Sequence, residues 1–165
     1  MNEFVLFIHP ATTHTAYGGA IYNMNVAFFL IPKSQVTYLT EGSSFRQGME
    51  KLHRHGYTAI PVISGEGRYL GSISEGDFLW NIMSLGSIDP YDLEEASIDE
   101  IISDRTPPIR VSTPIAELWE KLLDQNFVPV VDDRDMFVGI VTRRSVMAYL
   151  MNYKGTVRRE GEMIS

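Results

Sequence analysis

The chain has 165 residues, 44% of them hydrophobic and 21% charged, a balance that supports a folded globule and argues against intrinsic disorder. Its net charge of −7 speaks against duplex DNA or an anionic membrane as the main partner, and no stretch approaches the ~18 unbroken apolar residues of a membrane span. The absence of cysteine excludes disulfides and thiol catalysis and fits a cytoplasmic location.

Phe4–Ile8 is apolar, but Glu3 precedes it and no basic segment opens it, so it does not read as a signal peptide. Pro10 and Gly18-Gly19 mark the following stretch as loop, and Met24-Asn25 then repeats the Met1-Asn2 opening. Residues 1–24 therefore read as an N-terminal extension that need not belong to the native start, with His9 and His14 as solvated loop residues. Val26–Ile31 is apolar and ends at Pro32, and Val36–Leu39 reads as a short strand. Ser44 with Gln47 forms a capping-box pattern, after which Phe45, Met49 and Leu52 recur at helical spacing until Gly56. His53 and His55 diverge around that helix and read as surface.

Tyr57–Ile63 then forms a strand that turns at Gly65-Glu66-Gly67 and returns to Ser74. Phe78, Leu79, Ile82 and Met83 make an apolar stripe on the helix that follows, expected in the core. Residues 84–96, polar and acidic around Asp89-Pro90, read as a linker. Beyond it come a short helix through Ile101-Ile102, a turn at Asp104–Pro108 and a strand at Ile109–Val111. Thr113 and Pro114 suit a helix N-cap and first turn, with Ile115, Leu118, Trp119 and Leu122 as the buried face. A strand from Val128 to Val131, an acidic turn (Asp132, Asp133, Asp135) and a returning strand from Met136 to Val141 lead into a helix from Arg143 to Asn152. A polar tail, residues 154–165, closes the chain.

The chain says the same thing twice. Pro61 and Pro129, Gly71 and Gly139, Ser74 and Thr142, and Asp77 and Ser145 are each 68 residues apart. Met49-Glu-Lys-Leu52 matches Trp119-Glu-Lys-Leu122 at an offset of 70. Such a repeat governs the architecture: residues 25–83 form one unit and 97–153 the other. Units of about 60 residues bury only ~60% of their unfolded surface, so the two are expected to pack on each other and fold together.

The order strand, helix, strand, strand, helix, with the pattern Gly-apolar-apolar-[Ser/Thr]-x-x-[Asp/Ser] leading into the last helix, resembles the cystathionine-β-synthase (CBS) domain. Two copies in phase resemble a CBS pair, or Bateman module, over most of the chain. The resemblance implies an α/β (α+β) fold: two tandem β-α-β-β-α repeats packed as one pseudo-symmetric module. It implies a regulatory module, often a homodimer, whose inter-repeat cleft binds adenosine-type ligands. Gly56-Tyr-Thr-Ala-Ile-Pro-Val62 together with Thr142-Arg-Arg144 is similar to stand-alone Gram-positive CBS-pair proteins that bind cyclic di-AMP and act on partner proteins. By that likeness Gln35, Val36, Thr37, Tyr57, Thr58, Ala59, Thr142, Arg143 and Arg144 are candidate nucleotide-binding positions.

A nucleotide needs an anion site, a sugar contact and a flat apolar slot. Thr142-Arg143-Arg144 opens a helix, and helix N-termini favour phosphate. Two cations there disfavour the helix by ~0.3–1 kcal/mol each. A bound phosphate would reverse that, and ion pairs with Asp132, Asp133 or Asp135 offer an alternative. Tyr57 offers a stacking face and Ala59 leaves room beside it. Ser74-x-x-Asp77 is a capping box. The resemblance also makes Asp77 a candidate ribose ligand, so Ser74, Asp77 and Ile109 form a possible second site, with Ser145 in place of the aspartate in copy two. Cyclic di-AMP, AMP and ATP all remain open as ligands. No cofactor, metal site, nucleophile-base pair or phosphate-binding glycine loop is evident, and no enzyme is expected. The alternative to a nucleotide sensor is a ligand-free CBS-pair scaffold for protein–protein interaction; the regulated protein is not legible in either case.

Overall fold

In the computed structural model the described residues are 25–86 and 89–162. The N-terminal extension, with Phe4–Ile8, His9 and His14, lies outside them.

The first sheet holds β2 (Leu39–Thr40), β3 (Ala59–Ile63) and β4 (Tyr69–Ser74) in that order, β2 parallel and β4 antiparallel to β3. Helix α1 (Phe45–His55) starts at the expected capping box and stops at Gly56, whose φ of 63° is the left-handed conformation of a helix end. Because side chains alternate along a strand, Ile60 and Val62 enter a core with Leu39, Phe45, Leu52, Ile73 and Phe78, while Ala59 and Pro61 face a cavity on the other side. Pro61 is tolerated inside a sheet for a topological reason. Its partner Ser72 spends its own N–H and C=O on Ser103, and β2 pairs only with Val62 and Ile63, so no ladder bond is lost where proline lacks its N–H.

The second sheet repeats this with β5 (Ile109–Arg110), β6 (Phe127–Val131) and β7 (Phe137–Thr142), β5 parallel and β7 antiparallel to β6. It adds β1 (Ile31–Pro32), antiparallel to β7. Residues just before β1 pack with this second unit as well. Val26 and Phe29 are buried in the second unit's core, with Ile109, Ile115, Leu118, Val128, Val130, Val141 and Val146. The exchange is reciprocal. Ile98, in the 3₁₀ turn Ile98–Ile101, is fully buried in the first unit's core, and Ser103 exchanges two backbone hydrogen bonds with Ser72 (2.9 and 3.0 Å). Each unit is completed by the segment that precedes the other.

The crossing strands demand glycine. A Cβ at Gly139 would lie 2.1 Å from the Ile31 carbonyl oxygen, and one at Gly71 2.6 Å from that of Ser103. These are two of the positions repeated at 68-residue spacing. The units also meet at their hairpins, where the Phe137 N–H donates to the Gly67 carbonyl (2.9 Å) and Tyr69 stacks on Phe137 with centroids 6.1 Å apart.

Helices α2 (Glu75–Leu85), α4 (Ile115–Asp124) and α5 (Arg143–Glu162) fall where the repeat requires them. Several details differ. Val36–Leu39 is not a strand: only Leu39 joins β2, because Val36 and Thr37 turn toward the cavity. The linker contains α3 (Pro90–Glu95), capped by Asp89 and tied to α1 through Arg46 and Glu94. Pro114 is the N-cap of α4 and has no hydroxyl to cap with, while Thr113 Oγ1 accepts the Arg110 N–H (3.0 Å) instead. Leu79 and Met83 are 54% and 63% exposed, so the stripe on α2 reaches the core only through Phe78, with Ile82 partly buried against it. Helix α5 continues to Glu162, past the end expected at Asn152.

Candidate functional site

The alternation along β3 and β6 leaves a cavity of ≈ 280 Å³ where the two units meet. One wall is the segment Gln35–Thr37, between β1 and β2, where the 3₁₀ turn Lys33–Gln35 gives way to extended backbone at Val36. A second is Gly56–Ala59, leading from α1 into β3. The second unit contributes Asn126, Phe127 and Thr142, and Ile31, Pro61 and Ile140 complete an apolar lining. Seven of the nine candidate nucleotide positions, Gln35, Val36, Thr37, Tyr57, Thr58, Ala59 and Thr142, thus line one cavity. Two backbone bonds of the same kind hold its rim. Arg143 N–H donates to the Asn126 carbonyl (2.9 Å), and in the other unit Glu75 N–H donates to the Thr58 carbonyl (3.1 Å).

Tyr57 is 41% exposed. One face of its ring is stacked by His55, with centroids 5.5 Å apart and planes 15° apart. A second flat group on Tyr57 would extend an existing stack, an arrangement aromatic rings favour when offset. Thr142 caps α5: its Oγ1 accepts the Ser145 N–H (3.0 Å), and Ser145 Oγ donates to the Thr142 carbonyl (2.8 Å). The Thr142 hydroxyl proton remains for a further acceptor.

The two arginines part company. Arg143 Nε donates to the Leu122 carbonyl (2.7 Å) and Nη2 to the Leu123 carbonyl (3.1 Å), placing the cation on the last carbonyls of α4, where a positive charge is favoured. Arg143 therefore lies in the groove between α4 and α5, and it is not among the residues lining the cavity. Arg144 is exposed and has no hydrogen bond or ion pair among the described residues. The ion pairs weighed as an alternative belong to another residue: Arg110 takes Asp135 (2.7 Å). Asp132 Oδ1 accepts the N–H groups of Met136 (2.9 Å) and Arg134 (2.8 Å) across its own turn. Those bonds, the Met136 one foremost, hold its carboxyl below the usual range.

Of the possible second site, Ser74 and Asp77 are together and Ile109 is not with them. Ser74 Oγ accepts the Asp77 N–H (3.3 Å), and Asp77 Oδ2 accepts both the N–H and the hydroxyl of Ser74 (2.8 and 2.7 Å). Asp77 Oδ1 accepts from Arg105. Ile109 is 3% exposed and packs in the second core, because pairing with Val130 turns its side chain inward. Sequence reasoning overlooked Arg105. It also overlooked the linings from Ile31, Pro61 and Ile140, although the odd parity of Pro61 against Ile60 and Val62 carries that signal. Among the described residues no cluster of three His, Asp or Glu side chains could hold a metal ion, and no helix is long and apolar enough to cross a membrane.

Comparison with protein families matches the CBS domain twice, over residues 30–84 and 98–152. The chain is 29% identical over 125 residues to a protein of Bacillus subtilis (strain 168) named cyclic di-AMP receptor B, covering 76% of this chain and 85% of that one. Among solved structures, CbpB in complex with c-di-AMP superposes with a TM-score of 0.78 at 25% identity, covering 86% of this chain and 93% of that one. The Listeria monocytogenes CbpB protein in complex with c-di-AMP gives 0.71 at 28% identity, covering 79% and 97%.

Proposed function

The chain belongs to the CBS-domain family, with two CBS units in tandem, and from that premise we propose that it is a sensor of adenine nucleotides that binds cyclic di-AMP in the cavity between the units. The observation that carries this reading is the convergence of Gln35–Thr37, Tyr57–Ala59 and Thr142 on one cavity. Two relatives that resemble the chain over most of its length are named or solved as cyclic di-AMP binders.

The chemistry fits in parts. At ≈ 280 Å³ the cavity is at the small end of ligand pockets, which run from ~300 Å³ upward. It suits one nucleoside half of a cyclic dinucleotide, the second half lying at the mouth; a mononucleotide such as AMP fits by the same measure, and ATP would leave its outer phosphates outside. The base stacks on the free face of Tyr57. The phosphate takes the Thr142 hydroxyl and the Arg144 guanidinium, two residues further on and without a partner among the described residues. A charge-assisted phosphate bond there offsets the penalty of a cation near a helix N-terminus. In a chain of net charge −7, an anionic ligand needs such local compensation.

The nucleotide signal passes to a partner protein, and no catalysis is involved. The exposed apolar residues Leu79 and Met83 on α2 recur 68 positions later as Met147 and Met151 on α5, 53% and 72% exposed. A homodimer covers both helices with one kind of contact. Thermal unfolding with cyclic di-AMP, AMP and ATP tests the ligand. A ligand at 100 times its Kd adds ~2.7 kcal/mol of stability, so cyclic di-AMP raises Tm by several degrees. No shift with any of the three would leave the cavity without its proposed occupant.

A further inference from the structure

Two exposed side chains of α1 reach the segments that wall the cavity. The helix buries Phe45, Gly48 and Leu52, while Lys51 and His55, four residues apart, share another face and are exposed. Lys51 Nζ donates to the carbonyl of Tyr38 (2.9 Å), the residue that follows the wall Gln35–Thr37. His55 stacks on Tyr57 with planes 15° apart. A stack between residues two apart requires the chain to reverse, and Gly56 provides the reversal. Its φ of 63° ends the helix, and the Tyr57 N–H returns to the Leu52 carbonyl (3.2 Å), the closing bond of a Schellman turn. The turn brings the Tyr57 ring back against the last side chain of α1.

We propose that Lys51 and His55 are positioning residues for the nucleotide, holding the two walls that the first unit contributes in the form that receives it. Neither lines the cavity, so each acts through the residue it touches. A Tyr57 ring that is 41% exposed would otherwise be free to turn, and ordering it on binding would cost affinity. His55 fixes it beforehand and leaves the opposite face to the base. At the other wall the Tyr38 ring meets Phe137 edge-on (6.3 Å) and lies under Lys33 (5.5 Å). Lys51 adds the hold on its carbonyl, so both units grip the end of that wall. The second unit lacks the device. By helix register Lys51 and His55 correspond to Lys121 and Gln125, and by strand register Tyr57 also corresponds to Gln125, so no ring pair forms there.

The inference rests on the nucleotide reading above for its ligand. Cyclic di-AMP is titrated calorimetrically into the parent, His55→Ala, His55→Phe, Lys51→Ala and Lys121→Ala, with thermal unfolding as a check that all fold alike. His55→Ala is expected to bind roughly 3- to 10-fold more weakly, the scale of ordering one side chain at an interface, and His55→Phe, which keeps a flat ring, to restore the parent affinity. Lys51→Ala is expected to bind more weakly than Lys121→Ala, which removes the same charge from the equivalent place on α4. Parent affinity in His55→Ala, a His55→Phe that fails to restore it, or equal affinities in the two lysine variants would overturn the inference. Proton NMR without ligand supplies a separate readout. The chain has four histidines, and the ring protons of His55 should be shifted upfield by the Tyr57 ring and return in Tyr57→Ala. A parent that binds no cyclic di-AMP is a failure of the nucleotide reading, and there the NMR decides whether His55 holds Tyr57: an upfield shift lost in Tyr57→Ala upholds it, and unshifted protons overturn it.

Discussion

Phe29 precedes the first CBS unit in sequence and is buried in the second, which makes it the sharpest probe of the exchanged architecture. Its ring is 6% exposed and meets Trp119 edge-on at 6.3 Å and Tyr149 at 5.3 Å. Phe→Ala at a core site costs ~3–5 kcal/mol. The rim position and the exposed neighbour Phe28 favour collapse into the gap, so about 3 kcal/mol is expected for Phe29→Ala. With a urea m-value of roughly 1–3 kcal/mol/M, the midpoint falls by about 1–3 M. The chain has two tryptophans, Trp80 in the first unit and Trp119 in the second. Urea titrations of Phe29→Ala in Trp80→Phe and Trp119→Phe backgrounds therefore follow each unit separately. Both tryptophans are expected to report one shared, lowered midpoint. A loss below 1 kcal/mol, or a change confined to Trp80, would refute the placement of residues 25–32 in the second core.

Gly139→Ala is expected to destabilise by about 2–3 kcal/mol, because its Cβ must push the backbone of β1 away from Ile31; the urea midpoint measures this. Arg143→Ala removes two charge-assisted bonds to α4 carbonyls and should cost roughly 1–2 kcal/mol without ligand. Arg144→Ala should be neutral or mildly stabilising without ligand and should weaken cyclic di-AMP by more than 1 kcal/mol, readable by denaturation and titration side by side. The Asp132 carboxyl is depressed in the folded state, so it lends stability above its unfolded value and loses it as pH falls through the folded one. Asp132→Asn should flatten that acid limb of the stability–pH curve.

What the sequence made legible was whatever repeats locally. Both capping boxes, the Gly56 stop and the hairpins follow from neighbours in the chain, and two copies in phase disclosed the family. The cavity walls were mostly legible too, because seven positions of the expected set could be placed by likeness. What escaped depends on contacts between distant segments. Nothing near Val26 or Phe29 reveals that they complete a core formed 80 and more residues later. Arg143 and Arg144 are adjacent and alike, and only the position of the α4 carbonyls separates their roles. Arg105 lay in what read as a turn, and its partner Asp77 already had a sufficient local explanation as a cap. Leu79 and Met83 matched a core stripe because periodicity records which face is apolar, not what covers it.

Calorimetric titration of cyclic di-AMP into the full chain and its Tyr57→Ala variant tests the central claim most directly. Base–aromatic stacking contributes ~1–3 kcal/mol, so the variant should bind roughly 5- to 150-fold more weakly while its unfolding midpoint stays close to the parent's, since Tyr57 is 41% exposed. Equal affinity in the two proteins, or no binding to a well-folded parent, would contradict the account.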